Sequence, residues 1–345
     1  MAFFYSSRPT KELFGCIKRE RIMRKLCFII PMYNAENVIE RTLRSILNAN
    51  LPRDFYEVIV VDDGSTDASL DVINGLRHLF PNLKTIVQEN GGSSKARNAG
   101  LRETLADYIW FVDADDMVEK DISCIPQLIA AHPSVDIFSF TYNWVSESGQ
   151  HVGYGQLQER VKHEIEISGR EAILQGYQPG SVCGLVIRRT FLTDNNLKFK
   201  EGITQQDVEL TYRMFSRAST VFFSSAVVYN YMFCPTSITR SNNVKKRMKY
   251  ELDKIEIIKS FRQQADFFRN TDSELSMAMR SYADSALFGY VYNLFKQRRQ
   301  LREMGISKAA LLLLKERGFY PLRIEGMSWK KRLVCRILNI EKIIS

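Results

Sequence analysis

The stretch Tyr108–Ile109–Trp110–Phe111–Val112–Asp113–Ala114–Asp115–Asp116 joins an apolar run to carboxylates spaced by one residue. Side chains alternate faces along a strand, so Asp113 and Asp115 are expected to project the same way from its tip. Two hard oxygen ligands on one edge suit Mg²⁺ or Mn²⁺ held against a diphosphate. A calcium loop is excluded. Counted from Asp113, its fifth position needs an oxygen ligand and its sixth a glycine, and Met117 and Val118 stand there.

Working outward, the chain alternates strand and helix signals. Leu26–Pro31, Phe55–Val61, Leu83–Gln88 and Tyr108–Val112 are apolar strand runs. The intervening segments, residues 35–49, 68–79 and 94–105, carry helical periodicity, with Val38, Leu43, Ile46 and Leu47 on one face of the first. That order predicts an α/β fold with a mostly parallel sheet and helices on both faces. Ligands then sit at the carboxyl ends of the strands, where every polar motif of this chain falls. Residues 134–240 are more mixed, with strands expected at Val135–Tyr142, Gly184–Ile187 and Val221–Tyr231 and a helix at Asp207–Ser216. Beyond Arg240 the chain reads as helical and basic.

Composition narrows the class. The chain has 345 residues, 45% of them hydrophobic and 25% charged, enough for one large core plus an appendage. Its six cysteines show no metal-ligand spacing and indicate neither a zinc site nor a disulfide framework. The four histidines lie outside every motif. No secretory signal and no uncharged run of ~18 residues is found, so a cytoplasmic setting is expected. The net charge of +9 is uneven. Residues 1–25 hold seven Lys/Arg against two Asp/Glu, 241–345 hold 22 against 11, and 26–240 hold 19 against 26. Basic ends around an acidic middle do not suit a nucleic-acid binder. They suit a metal-using domain with a basic surface turned to an anionic partner such as a membrane. The expected organisation is a basic, poorly ordered extension over 1–25, a catalytic domain over 26–240 and a helical region over 241–345. Met23 could be the translation start in place of Met1.

Four motifs recur in order: Ile30–Pro31–Met32–Tyr33–Asn34; Val61–Asp62–Asp63–Gly64–Ser65–Thr66–Asp67; Gln88 through Gly100, containing Gly91–Gly92–Ser93 and Arg97–Asn98; and Asp113–Ala114–Asp115. Together they resemble glycosyltransferase family 2, the inverting nucleotide-sugar enzymes of GT-A fold, over roughly residues 26–240. The resemblance implies a role for each matching position. Asp62 accepts the imide N–H of uracil, and Pro31 and Tyr33 wall the base, Tyr33 by stacking. Arg97 pairs with the negatively charged nucleotide. Asp113 and Asp115 place a divalent ion, Mn²⁺ or Mg²⁺, with Asp115 the direct ligand. Gly91, Gly92 and Gly100 read equally as turn and packing glycines, and Asp63, Ser65 and Asp67 as turn and cap residues.

Downstream, Phe199–Lys200–Glu201–Gly202–Ile203–Thr204–Gln205–Gln206–Asp207 resembles the family's segment ending in Glu-Asp. Its Asp is kept as Asp207, which the resemblance makes the general base, and Gln206 replaces the Glu. The family's Q-x-x-R-W motif and membrane spans are missing, which favours single additions over polymerisation. Cys183 stands where relatives often carry a Trp; it suggests an altered acceptor pocket or a small buried side chain. Tyr229–Asn230–Tyr231 and Ser237–Ile238–Thr239–Arg240 resemble the family's closing segment, with Arg240 a candidate diphosphate contact.

The implied activity is transfer of a hexose from a UDP-sugar to a hydroxyl of a saccharide, lipid-linked in the expected case, during cell-surface polysaccharide assembly. Gln206 keeps open an inactive GT-A subunit or scaffold. A phosphate-receiver domain would explain Asp62, Asp63 and Asp113 but not the Gly91–Gly100 stretch. The tail from Trp329 has Leu333, Ile337, Ile340 and Ile344 on one expected face with basic residues beside it. That stripe suits either an anionic membrane at the cytoplasmic face or the protein's own core.

Overall fold

The computed structural model describes residues 24–146, 148–155, 158–233, 243–323 and 329–344. The extension before residue 24, Ser237–Arg240 and two of the cysteines, Cys16 and Cys234, lie outside the described residues.

The chain begins with strand β1 (Leu26–Met32), helix α1 (Ile39–Asn48), β2 (Tyr56–Asp62), α2 (Ser69–Leu76), β3 (Leu83–Val87), α3 (Ser93–Glu103) and β4 (Tyr108–Phe111). It continues through β5 (Met117–Val118), α4 (Cys124–Ala131), β6 (Ile137–Val145), β7 (His151–Gly155), β8 (Glu166–Ile167) and α5 (Gly169–Gln175). Then come β9 (Leu185–Arg188), α6 (Arg189–Asp194), α7 (Gln206–Phe215) and β10 (Val221–Met232). Among the described residues, six helices follow: α8 (Val244–Phe267), α9 (Ser273–Lys296), α10 (Arg298–Glu303), α11 (Ile306–Glu316), α12 (Trp329–Leu338) and α13 (Glu341–Ile344).

The main sheet runs β3-β2-β1-β4-β9-β6-β10-β5, with β7 added on β6 and β8 on β10. The first four strands are parallel. β9 is antiparallel to both its neighbours, and β10 runs parallel to β6. The central strand β1 is an almost wholly buried apolar run, as a strand covered on both faces must be. From β1 the chain moves outward through β2 to β3, then returns to place β4 on the other side. That reversal opens a crevice at the carboxyl ends of β1, β2 and β4.

Close packing brings α3 onto this centre. A Cβ on Gly100 would lie 2.4 Å from Ile29 Cγ2, so only glycine allows the approach. The large core extends from the sheet into α8 and α9 through Ile257, Phe261, Met279 and Ala283. A second core, built within α8–α13, includes Ile255, Leu287, Val291, Leu311, Leu314, Cys335, Leu338 and Ile344.

Two expectations change here. β4 stops at Phe111, and Asp113–Asp116 form a turn closed by the Asp116 N–H on the Asp113 carbonyl (3.2 Å). Strand alternation therefore does not govern Asp113 and Asp115. In the tail, Ile344 is buried, while Trp329, Leu333, Ile337 and Ile340 are exposed. The short break at Asn339 and Ile340 before α13 turns Ile344 away from the stripe the periodicity predicted.

Candidate active site

The loops after β1, β2 and β4 meet at the crevice and are tied to one another. Asn34, in the left-handed region (φ 49°), accepts from the Thr66 N–H (2.8 Å), and its own N–H donates to Ser65 Oγ (3.0 Å). Asp67 Oδ1 accepts from the Ser69 N–H (3.0 Å) at the start of α2, the cap role its position suggested. Asp63 does more than turn the chain. Its carboxylate accepts from the N–H groups of Gly91 (2.9 Å) and Gly92 (2.7 Å) and from Gln88 Nε2 (2.6 Å). Gly92 takes φ 88°, and the chain then enters α3. One aspartate thus shapes the loop that delivers Arg97.

Asp62 is buried beside it. Its Oδ1 accepts from the Ser65 N–H (3.2 Å), while Oδ2 has no partner among the described residues. Arg97 is also buried. Its Nη2 donates to Asp113 Oδ1 (2.5 Å) and its guanidinium carbon lies 5.2 Å from the centre of the Phe199 ring, yet Nε and Nη1 have no partner among the described residues. Buried polar atoms are nearly always satisfied, so these three point to a polar occupant. Burial works against the Arg97 charge, but Asp113 and Asp207 outweigh it and hold the guanidinium protonated. Tyr33 is 51% exposed at the end of β1 and Pro31 is half-buried within it, an open ring and a ring wall at one edge of the crevice.

The acidic turn is held from behind. Arg41 Nη2 donates to the Asp115 carbonyl (2.7 Å), and the Thr42 hydroxyl lies 2.7 Å from both the Ala114 and Asp116 carbonyls, donating to one at a time. Asp116 is the buried member. It accepts from the Tyr229 hydroxyl (2.6 Å) and the Met232 N–H (2.7 Å), and the same hydroxyl accepts from the Asp113 N–H (3.2 Å). Asp113 is half-buried and Asp115 exposed. Although Asp115 is open to solvent, partial desolvation by the surrounding walls and then the Asp113 charge push its carboxyl up, against Arg41 and Arg97. Burial, with Asp113 and Asp115, pushes Asp116 well up.

Such crowding favours a cation. Among the described residues no three possible ligands cluster as a protein-only metal cage. Two carboxylates completed by diphosphate oxygens and water match the way Mg²⁺ and Mn²⁺ are commonly held, so Asp113 and Asp115 fit such an ion.

Asp207 lies in the first turn of α7 and accepts from the Val208 N–H (2.9 Å). Burial raises its carboxyl above the usual range, and Arg97 opposes the rise. The loop before it is fixed at several points. The Asn98 side chain pairs with both the N–H (2.9 Å) and the carbonyl (3.0 Å) of Phe199. The Thr204 N–H donates to Asp253 of α8 (2.7 Å), and Gln205 takes φ 54°. Gln206 Nε2 donates to Ser93 Oγ (2.9 Å), linking α7 to the start of α3. Glu209, held by Arg213 and the Ser260 hydroxyl (2.6 Å), ties α7 to α8.

The structure therefore joins Arg97 to Asp113, sets Asp207 near Arg97, and leaves Asp62 at the carboxyl end of β2. Arg240 lies outside the described residues. Cys183 is buried with its carbonyl accepting from Trp110 Nε1 (2.7 Å), which accounts for it as a packing residue. Thr42, Tyr229, Asn98 and Asp116 support the site but were given no role from sequence. Asn98 stood one residue after Arg97, the one signal available for it.

Comparison with known proteins supports the same reading. The family model "Glycosyl transferase family 2" matches residues 27–186. The uncharacterized glycosyltransferase YibD of Escherichia coli is 24% identical over 92% of this chain and 89% of its own. The poly(ribitol-phosphate) β-N-acetylglucosaminyltransferase TarS of Staphylococcus aureus is 29% identical over 61% of this chain but only 35% of its own length. A structure of TarS residues 1–349 in complex with UDP-GlcNAc aligns over 91% of this chain and 90% of that one (TM-score 0.56, 21% identity). The mannosyltransferase PcManGT of Pyrobaculum calidifontis, in complex with GDP-Man and Mn²⁺, aligns over 93% of this chain and 87% of that one (TM-score 0.56, 17% identity). These likenesses establish a GT-A fold. Residues 27–186 form a domain that matches glycosyl transferase family 2.

Proposed function

We propose that the protein transfers a hexose from a UDP-sugar to a saccharide hydroxyl with inversion at the anomeric carbon. The observation that carries the reading is the set of buried atoms without partners among the described residues, Asp62 Oδ2, Arg97 Nε and Arg97 Nη1, with Asp207 near Arg97. The TarS complex with UDP-GlcNAc supports a nucleotide-sugar donor.

Asp62 Oδ2 accepts the uracil imide N–H, while Tyr33 stacks on the base and Pro31 walls it. Arg97 turns its two free N–H positions to the diphosphate and keeps its bond to Asp113. A divalent ion held by Asp113 and Asp115 would neutralise charge on the departing diphosphate. Asp207, unprotonated, takes the acceptor hydroxyl's proton as that oxygen attacks C1 and the C1–O bond to the diphosphate breaks. Burial raises the Asp207 carboxyl and strengthens it as a base, while Arg97 opposes the rise and favours its charged form. The Gln206–Ser93 bond fixes the turn carrying Asp207, so Gln206 keeps a positioning role without a charge.

The acceptor we favour is a lipid-linked saccharide of cell-surface polysaccharide, presented at the inner face of the plasma membrane. Gln206 also supports the alternative of a subunit that binds donor without transferring it. Incubation with UDP-hexoses and saccharide acceptors, followed by mass spectrometry and NMR of the new linkage, separates the two. A new glycoside of inverted configuration is expected; UDP-sugar binding without product under any acceptor would identify the inactive subunit.

A further inference from the structure

The tail helix α12 has two apolar faces, and the described residues cover only one. Cys335 and Leu338 point into the second core, where Ile344 joins them. The segment is pinned there. The Tyr320 hydroxyl donates to the Leu338 carbonyl (2.9 Å), and the Asn339 side chain pairs with the N–H (2.7 Å) and carbonyl (3.0 Å) of Leu322. With that face occupied, Trp329 (71% exposed), Leu333 (55%), Ile337 (42%) and Ile340 (50%) form a row on the outside. At 100° per residue the row is flanked by Arg332 and Arg336 on one side and Lys330 on the other, all exposed.

The inner side of α12 meets α9. Lys331 Nζ lies 6.0 Å from the Phe288 ring, which stacks on Tyr292 (centroids 6.2 Å, planes 7° apart), and Lys296 Nζ lies 5.9 Å from Tyr292. From residue 329 to the end, the chain carries five Lys/Arg against one Asp/Glu. Exposed aromatics and aliphatics rimmed by cations match the boundary between lipid headgroups and acyl chains, where rings sit at the interface and basic side chains meet anionic headgroups. A soluble partner of acidic surface would not account for four large apolar side chains in the same row. No described helix is long and apolar enough to cross a membrane, so contact would be from one side.

The patch also has a direction. Arg247 of α8 bonds Gln297 at the end of α9 (3.1 Å), and Lys249, two residues on, donates to the Gly202 carbonyl in the loop before Asp207. The C-terminal half of α9 therefore lies at the end of the α8–α9 pair that supports the base loop. We propose that the outer face of α12, packed through its inner side on α9, docks on an anionic bilayer surface and sets the crevice near lipid-borne acceptors.

Co-sedimentation of the full chain with vesicles tests this without donor or acceptor, so it succeeds or fails apart from the transfer reading. Binding is expected to phosphatidylcholine vesicles containing phosphatidylglycerol, at least tenfold weaker to phosphatidylcholine alone, and reduced by salt. Trp329→Ser/Leu333→Ser/Ile337→Ser and, separately, Lys330→Glu/Arg336→Glu should each weaken binding by about tenfold or more, with unchanged circular dichroism. No binding of the unaltered chain to anionic vesicles, or equal binding by the triple variant, overturns the proposal. So does a dimer in light scattering that the triple variant abolishes while vesicle binding persists, because the row would then be covered by a second copy.

Discussion

The crevice over β1, β2 and β4 buries polar groups and leaves some without partners; the α8–α13 region buries apolar groups and leaves some outside. Asp62 and Arg97 are enclosed yet keep free hydrogen-bonding atoms. In the helical region the exposed excess is apolar, at Trp329, Leu333, Ile337 and Ile340. An unpaired buried polar atom costs about 1–3 kcal/mol, so a scaffold must over-determine the loops that hold one. The Asp63–Gly91–Gly92 clamp and the Thr42 and Tyr229 anchors do so here. An exposed leucine costs little, and the tail needs only its inner face to stay folded.

The comparison can be broken at several points. The largest effect is expected at Asp207. Asp207→Asn keeps the side chain's shape and removes the base, so turnover should fall about 10²–10⁴-fold with UDP affinity unchanged, as steady-state kinetics beside a binding titration would show. Normal turnover in this variant would falsify the assignment of the base.

Tyr229→Phe tests the anchoring of the acidic turn. It strips one donor from buried Asp116 and leaves the Asp113 N–H without its acceptor. Thermal or denaturant unfolding should show a loss of about 1–3 kcal/mol, and metal-dependent UDP binding should weaken with it. Unchanged stability would mean that the turn is held by Thr42 and Arg41 alone.

Gln206→Glu sharpens the reading of the altered pair. A carboxylate next to Asp207 adds like charge and should raise its carboxyl further. The protonated base is inactive, so turnover is lost as pH falls through its pKa, already above the usual range from burial. The acid limb of the pH–rate profile should therefore move to higher pH in this variant. A shift the other way would place Gln206 away from the base.

The smallest effect belongs to the other side of the comparison. Leu333→Ser should change unfolding free energy by no more than about 0.5 kcal/mol, because the side chain already faces solvent. A loss of several kcal/mol would show that the outer row is core after all.

The same contrast explains what could be read from the chain. Apolar runs such as Leu26–Met32 and the helical period of α1 depend on neighbours in sequence, so the strand–helix alternation and a ligand site at the strands' carboxyl ends followed from them. Asp62, Arg97, Asp113 and Asp207 stand in ordered motifs and were legible for that reason. The turn at Asp113–Asp116 was not, because its shape is set by Thr42 and by Tyr229, more than seventy and a hundred residues away in sequence. Nor was the buried state of Asp116, which looked like one more acidic turn residue. The stripe of the tail was visible, but a periodicity cannot tell which of two apolar faces meets the core. The break at Asn339 and Ile340, which sends Ile344 inward, follows from the Asn339–Leu322 pairing.

The central claim is that the crevice is a UDP site completed by a divalent ion at Asp113 and Asp115. Calorimetric titration of the full chain with UDP, first with Mn²⁺ and then with excess chelator, tests it most directly. Binding with Mn²⁺, weakened strongly by chelator and by Asp115→Asn, is the predicted result. Absence of UDP binding under both conditions would contradict the account.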